Sequence, residues 1–302
     1  MSFRYPEYVP NGIAYADGAY IPLKDLSFSI ADLGYTQGAA TYDVGHVIDN
    51  NFFRLDWHLE RFYRSAAGLY LHIPYNQAEL TDILRQCVIR ARLTNALIWM
   101  GITQGIPETG NPRDYHLCKP RFYAYAKPYY GISSEKDSQA KGVSLSISNV
   151  QRIPPKSVNP HYKNHHWLDL RHAQMEAKRK GYDTTILVDI QGNIAEGPGF
   201  NVCAVRNGAI LTPDKTALQG ITIRAVHTIA KELRIPFSFA SISPNELRCA
   251  DEVFITSTSG GITPVVSIDK EPLPNGHGPM TAQLQQVYWH KHYDAEWTTP
   301  VE

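Results

Sequence analysis

The 302-residue sequence predicts an α+β protein built as two α/β domains, residues 1–130 and 141–302, with a short linker at 131–140. Three observations predict it. The first half opens with strand-like runs and then carries two amphipathic helical patterns. The second half alternates strands with helices. Between the halves, the stretch from Pro128 to Lys141 contains Gly131-Ile132-Ser133-Ser134 and mixed charges, and reads as a connection.

Each element has its own signal. Tyr15-Ala16-Asp17-Gly18-Ala19-Tyr20-Ile21 sets Asp-Gly between extended residues, a hairpin pattern because both turn positions need positive φ. Ala40–Ile48 reads as a strand with Tyr42, Val44, His46 and Ile48 on one face. After a turn at Asp49-Asn50-Asn51, Asp56 is the expected N-cap of a helix reaching Gly68, with Leu59, Phe62, Tyr63 and Ala66 on its apolar side. Asn76 with Glu79 resembles a capping box ahead of Leu80, Ile83, Leu84, Cys87, Val88 and Ala91. Strands are expected at 97–103 and 122–126, separated by a long loop with Pro107, Gly110, Asn111 and Pro112. In the second half, residues 143–149, 184–189, 200–206 and 253–257 read as strands. Helices are expected over 166–180 with Gly181 as the stop, over 220–234, over 280–293, and briefly from Ser243-Pro244-Asn245-Glu246.

Composition narrows the function. Lys plus Arg and Asp plus Glu both number 29, so no basic face is implied and nucleic acid is not an expected partner. Cys87, Cys118, Cys203 and Cys249 are scattered and form no metal or redox pair, which fits a reducing compartment. Met1 to Glu7 lacks a signal-peptide stretch, and Leu97-Ile98-Trp99-Met100 is soon broken by polar residues, so a cytoplasmic protein without a membrane partner is expected.

Four sequence features could carry chemistry, and each also has an ordinary reading. Lys163 lies in Asn159-Pro160-His161-Tyr162-Lys163-Asn164-His165-His166-Trp167, a polar and aromatic setting just before a helix; alone it could be a surface lysine. Adjacent His165 and His166 lack helical ligand spacing, so no metal is expected. Glu196 leads into Gly197-Pro198-Gly199-Phe200-Asn201, glycines that permit close approach to a ligand but also make plain turns. Leu218-Gln219-Gly220-Ile221-Thr222 opens a helix whose N–H groups could hold an anion, although Thr222 could equally be a cap. Ser257-Thr258-Ser259-Gly260-Gly261 sets hydroxyls beside two glycines, a second candidate phosphate cradle.

Taken in order, these residues resemble the fold-type IV pyridoxal-phosphate enzymes, the group containing branched-chain and D-amino-acid aminotransferases. Within it the sequence is most similar to the (R)-selective amine transaminases. The resemblance runs from Phe28-Ser29-Ile30-Ala31-Asp32-Leu33-Gly34-Tyr35 to Pro264. Phe53-Arg54-Leu55-Asp56-Trp57-His58-Leu59-Glu60-Arg61 is similar to the segment that ends in the family's phosphate-binding arginine. Asn159 to Asn164 resembles the segment around the cofactor lysine, and Glu196 to Val202 the strand entry whose glutamate pairs with the pyridine nitrogen.

The resemblance implies pyridoxal 5′-phosphate as cofactor, with Lys163 as the lysine that bonds it and shuttles a proton. It implies that Glu196 pairs with the pyridine nitrogen, and that Arg61, Ile221, Thr222 and Thr258 bind the phosphate. It places the substrate against Tyr42, Val44 and Trp99, with Arg113 taking a substrate carboxylate. A homodimer is implied, with an amine or amino acid and a keto acid as partners. Branched-chain enzymes usually have glycine where Val44 stands. Gln37 and Gln104 depart from the amine transaminases, which commonly have histidine and often arginine there, and Trp99 is unusually bulky for its strand. The expected reaction is transfer from an (R)-amine or D-amino acid to a keto acid such as pyruvate. Alternatives are a D-amino-acid or branched-chain aminotransferase, a lyase similar to aminodeoxychorismate lyase, and a non-catalytic binding protein.

Overall fold

The structure is a computed structural model that describes residues 11–108, 115–130 and 142–302. These fall into two compact units. One comprises the described residues up to Tyr130 together with Tyr162–His165 and Asp294–Glu302, and the other holds the rest.

The first unit starts with the hairpin β1 (Ile13–Ala16) and β2 (Ala19–Pro22), turned by Asp17 and Gly18 at φ 52° and 83°. The one-turn helix α1 (Leu33–Thr36) precedes β3 (Ala40–Ile48) and β4 (Asn51–Phe53). Helices α2 (Leu55–Gly68) and α3 (Gln77–Ala91) follow, then β5 (Ala96–Pro107) and β6 (Cys118–Pro128). With the chain's last strand, β15 (Thr298–Pro300), they form a seven-stranded antiparallel sheet in the order β15-β4-β3-β5-β6-β1-β2. One sheet face supplies Val47, Phe52, Ile98, Met100, Ile102 and Phe122 to a core with Leu59, Phe62, Leu80 and Leu84 of the two helices. Each such buried side chain contributes roughly 1.5–3 kcal/mol. On β3, alternation turns Tyr42 and Val44 to the other face, where the register sets them opposite Gly101 and Trp99.

The capping box at Asn76 is present, with both reciprocal hydrogen bonds. The cap expected at Asp56 is not. Arg54 occupies that position at φ 46°, and Asp56 lies in the first turn, paired with the Arg54 guanidinium. That guanidinium also lies 3.5 Å from the Trp57 ring centroid, so side-chain pairing holds Arg54 in a left-handed conformation that sequence alone disfavours.

The second unit contains β7 (Val143–Gln151), α4 (Leu168–Arg179), β8 (Thr184–Val188), β9 (Asn201–Arg206) and β10 (Ala209–Thr212). Then come α5 (Ile221–Glu232), β11 (Phe237–Phe239), α6 (Pro244–Arg248), β12 (Glu252–Ser257), β13 (Gly261–Ile268), β14 (Glu271–Pro272) and α7 (Pro279–His290). The sheet order is β11-β10-β9-β12-β13-β7-β8, with β14 paired to β13. The sequence reading lacks β13, a central strand, because Gly260-Gly261 and Pro264 punctuate it like a loop. Pairing to β12 on one side and to β7 on the other overrides that local signal.

Candidate active site

Lys163 belongs to the first unit because β3 and α2 both grip its backbone. The Thr41 hydroxyl donates to the Lys163 carbonyl, the Lys163 N–H donates to Ser65 Oγ at 3.1 Å, and Thr41 bridges Asn164. Gly68 completes the seat. A Cβ there would lie 2.3 Å from Cζ of Tyr162, so only glycine lets that ring approach α2. The lysine is half-buried, and its Nζ lies 4.6 Å from the Tyr42 ring centroid. Tyr42 is stacked on Trp99 at 4.3 Å and 5°, and Trp99 on Tyr125 at 5.8 Å and 9°. Tyr42, Val44 and Trp99 thus share one aromatic and apolar face with the amine beside it.

Arg61 is 3 % exposed, unlike its exposed neighbour Arg64. Its Nε and Nη2 donate to Asp43 at 2.7 and 2.8 Å, and His58 Nδ1 meets the same carboxylate at 2.7 Å. Burial pushes the Asp43 carboxyl up, but Arg61 and His58 outweigh it and hold the group well below the usual carboxylate range. Burial, opposed by Asp43, holds His58 below its ordinary value and keeps the imidazole neutral near pH 7. Sequence reasoning missed both residues. The available signal was an aspartate on the strand face that otherwise feeds the core, where a charge needs a partner.

In the second unit, Glu196 is buried and ligated from two sides. Arg152 Nε donates to Oε1 at 3.0 Å, and the Leu218 N–H donates to Oε2 at 3.0 Å. Arg152 also binds Asp169 at 2.7 Å, which anchors it at the start of α4. Burial works against that guanidinium's charge, but Glu196 and Asp169 together raise its pKa. The bend after Glu196 needs its glycines. Gly199 has φ 85°, and a Cβ on Gly197 would lie 2.1 Å from the Phe200 ring. Helix α5 begins at Gly220 with no side-chain cap, and Ile221 and Thr222 lie buried in its first turn. Thr222 therefore does not cap the helix. Asn201 Nδ2 donates to the Leu218 carbonyl at 2.7 Å, which fixes the approach to that turn. Half-buried Thr258 lies in the turn from β12 to β13, tied by the Gly260 N–H donating to Ser257 Oγ at 3.0 Å. Arg113 lies outside the described residues.

Comparison with known proteins fits this arrangement. Residues 40–268 match the family described as amino-transferase class IV. The chain belongs to that family. It is 31% identical, over 91% of its own length and 94% of the relative's, to a Methanocaldococcus jannaschii protein named among the branched-chain-amino-acid aminotransferases. It is 28% identical to the D-alanine aminotransferase of Staphylococcus aureus, over 91% and 95% of the two chains. Among solved structures, a T.th. branched-chain amino acid aminotransferase with pyridoxamine 5′-phosphate is 28% identical with a TM-score of 0.89, covering 97% of this chain and 99% of that one. The Thermoproteus uzoniensis branched-chain aminotransferase with norvaline is 26% identical with a TM-score of 0.89, covering 97% and 100%. The protein is a fold-type IV aminotransferase, an enzyme class that uses pyridoxal phosphate. Its donor set suits that cofactor. Taken by itself, the first unit holds an amine and a guanidinium, and the second, by itself, holds a carboxylate and a helix N-terminus that has no side-chain cap and a hydroxyl in its first turn, the kinds of group such a cofactor requires. Among the described residues, no helix is long and apolar enough to cross a membrane.

Proposed function

We propose that this aminotransferase moves an amino group from an (R)-amine or D-amino acid to a keto acid such as pyruvate. The observation that carries the reading is the Lys163 amine beside the Tyr42–Trp99 stack, with Val44 on the same sheet face. Such a wall takes an apolar or aryl group by contact and offers no charge to a second carboxylate. The similarity to D-alanine aminotransferases supports the same stereochemical class.

When bound, pyridoxal phosphate supplies the electron sink that lets a substrate Cα proton leave. Lys163 would hold the cofactor through its Nζ until a substrate amine displaces it, and the freed amine would then carry that proton from the substrate Cα to cofactor C4′. Glu196 holds a proton at the pyridine nitrogen. Arg61, the N–H groups of Ile221 and Thr222, and the Thr258 hydroxyl bind the phosphate, and Arg113 takes a substrate carboxylate. The working form is a homodimer, a reading supported by Phe28, Ile30, Tyr35 and Ile106, large apolar residues that the first unit leaves exposed.

A second reading, a branched-chain L-amino-acid aminotransferase, is favoured by the similarity to branched-chain enzymes. Initial rates separate the two. Donors would be (R)- and (S)-1-phenylethylamine, D-alanine and L-leucine, with pyruvate and 2-oxoglutarate as acceptors. Turnover of D-alanine or the (R)-amine above the others is the expected result, and L-leucine as the best donor would establish the second reading instead. Borohydride reduction and peptide mapping should place the pyridoxyl label on Lys163.

A further inference from the structure

Asp43 and His58 have no place in the scheme above, yet they form the most thoroughly buried charged cluster beside Lys163 among the described residues. Asp43 is 0% exposed and His58 1%. Asp43 Oδ1 accepts from the Val44 N–H at 2.8 Å, from Arg61 Nη2 at 2.8 Å and from His58 Nδ1 at 2.7 Å, while Oδ2 accepts from Arg61 Nε at 2.7 Å. Stability alone is a poor explanation, because a buried ion pair rarely outperforms apolar residues of the same volume. The same two elements also hold the lysine. Thr41, two residues before Asp43, and Ser65, four after Arg61, grip the Lys163 backbone.

We propose that Asp43 and His58 are positioning residues for the cofactor phosphate, acting by fixing the plane and direction of the Arg61 guanidinium. The proposal rests on the reading of Arg61 as a phosphate ligand. A bidentate pair through the Nε/Nη2 edge removes rotation about the end of a long side chain, so the Nη1 edge is oriented before any anion arrives. His58 donates from Nδ1 to the carboxylate and so fixes Asp43 in turn. Its imidazole is neutral, and Asp43 cancels the charge of Arg61, so what the trio provides is direction rather than net charge. The gain lies in ordering that need not be supplied on binding.

The test compares pyridoxal phosphate with pyridoxal, which lacks the phosphate, titrated into the full chain after cofactor removal and read by the absorbance of the lysine-bound chromophore. Asp43→Asn should raise the Kd for pyridoxal phosphate by about tenfold and that for pyridoxal by less than about twofold. His58→Leu should act in the same direction, and His58→Gln, which keeps an N–H donor, should restore affinity. If Asp43→Asn fails to fold, the two His58 variants carry the test. Equal losses for both ligands would mean that the trio only supports the fold, and overturn the proposal. So would an unchanged ratio in Asp43→Asn when Arg61→Ala weakens pyridoxal phosphate. No effect in Arg61→Ala would remove the Arg61 reading itself, and the proposal with it.

Discussion

Glu196 shows how one residue can be held for a single task. A buried carboxylate needs donors, and here Arg152 and the Leu218 N–H each take one oxygen, which leaves lone-pair capacity for a further partner on both. Arg152 is itself fixed by Asp169 and cannot follow, so the carboxylate cannot turn away without breaking its pair with Arg152 and its bond from the Leu218 N–H. If Glu196 holds the proton on the pyridine nitrogen, Glu196→Gln should retain the cofactor and slow single-turnover amino transfer by about 100-fold, the scale of losing one preorganised electrostatic partner. Unchanged single-turnover rates in that variant would remove Glu196 from the reaction. The glutamate itself was legible in the sequence as an acid before a glycine-rich bend. Arg152 and Asp169 were not, because they lie 44 and 27 positions away in sequence and only the fold of the second unit brings them together.

At the scale of elements, legibility followed how local the cause was. The Asp17-Gly18 turn, β3, the capping box at Asn76 and the short helix that starts at Ser243 depend on neighbours a few residues apart, and all are present as read. The C-terminal strand β15, and β13 on its β7 side, depend on partners far along the chain, while the local hairpin of β13 with β12 is hidden by Gly260-Gly261 and Pro264. The start of α5 combines both kinds of cause. Gly220 looks like a loop glycine, but its φ of −65° is open to any residue, so conformation does not explain it. Space does. A Cβ there would lie 2.2 Å from Asn201 Oδ1, and Asn201 is the side chain that fixes Leu218. Gly220→Ala should therefore displace the first turn of α5 and lower stability by roughly 1–3 kcal/mol. It should also weaken cofactor binding about tenfold if that turn holds the phosphate. Denaturant unfolding and cofactor titration measure the two effects. A stability loss without an affinity loss would take the phosphate away from α5.

For the whole molecule, the buried histidines set the response to acid. His292 is 1% exposed, with Nδ1 against the Tyr288 carbonyl at 3.0 Å and its ring stacked on Trp289 at 4.7 Å. Burial pulls its pKa down to about 4, against the raising effect of the carbonyls it faces. The folded protein therefore binds fewer protons than the unfolded chain between about pH 6.5 and 4. The stabilisation is present above the unfolded value and is lost as pH falls through that window. A shift of this size corresponds to roughly 3 kcal/mol. His58 is lowered as well and adds to the loss, whereas Asp43 is held so low that it stays ionised throughout the window. Urea unfolding at saturating cofactor should show stability falling from about pH 7 to about pH 4.5. His292→Phe keeps a ring of similar size against Trp289 and removes the titrating group, so its curve should be flatter by an amount approaching that shift. The comparison of the two slopes isolates His292, because cofactor affinity and every other titrating group change alike in both proteins. Parallel slopes would show that His292 accepts its proton without opening the structure, and the acid sensitivity would then belong to other groups.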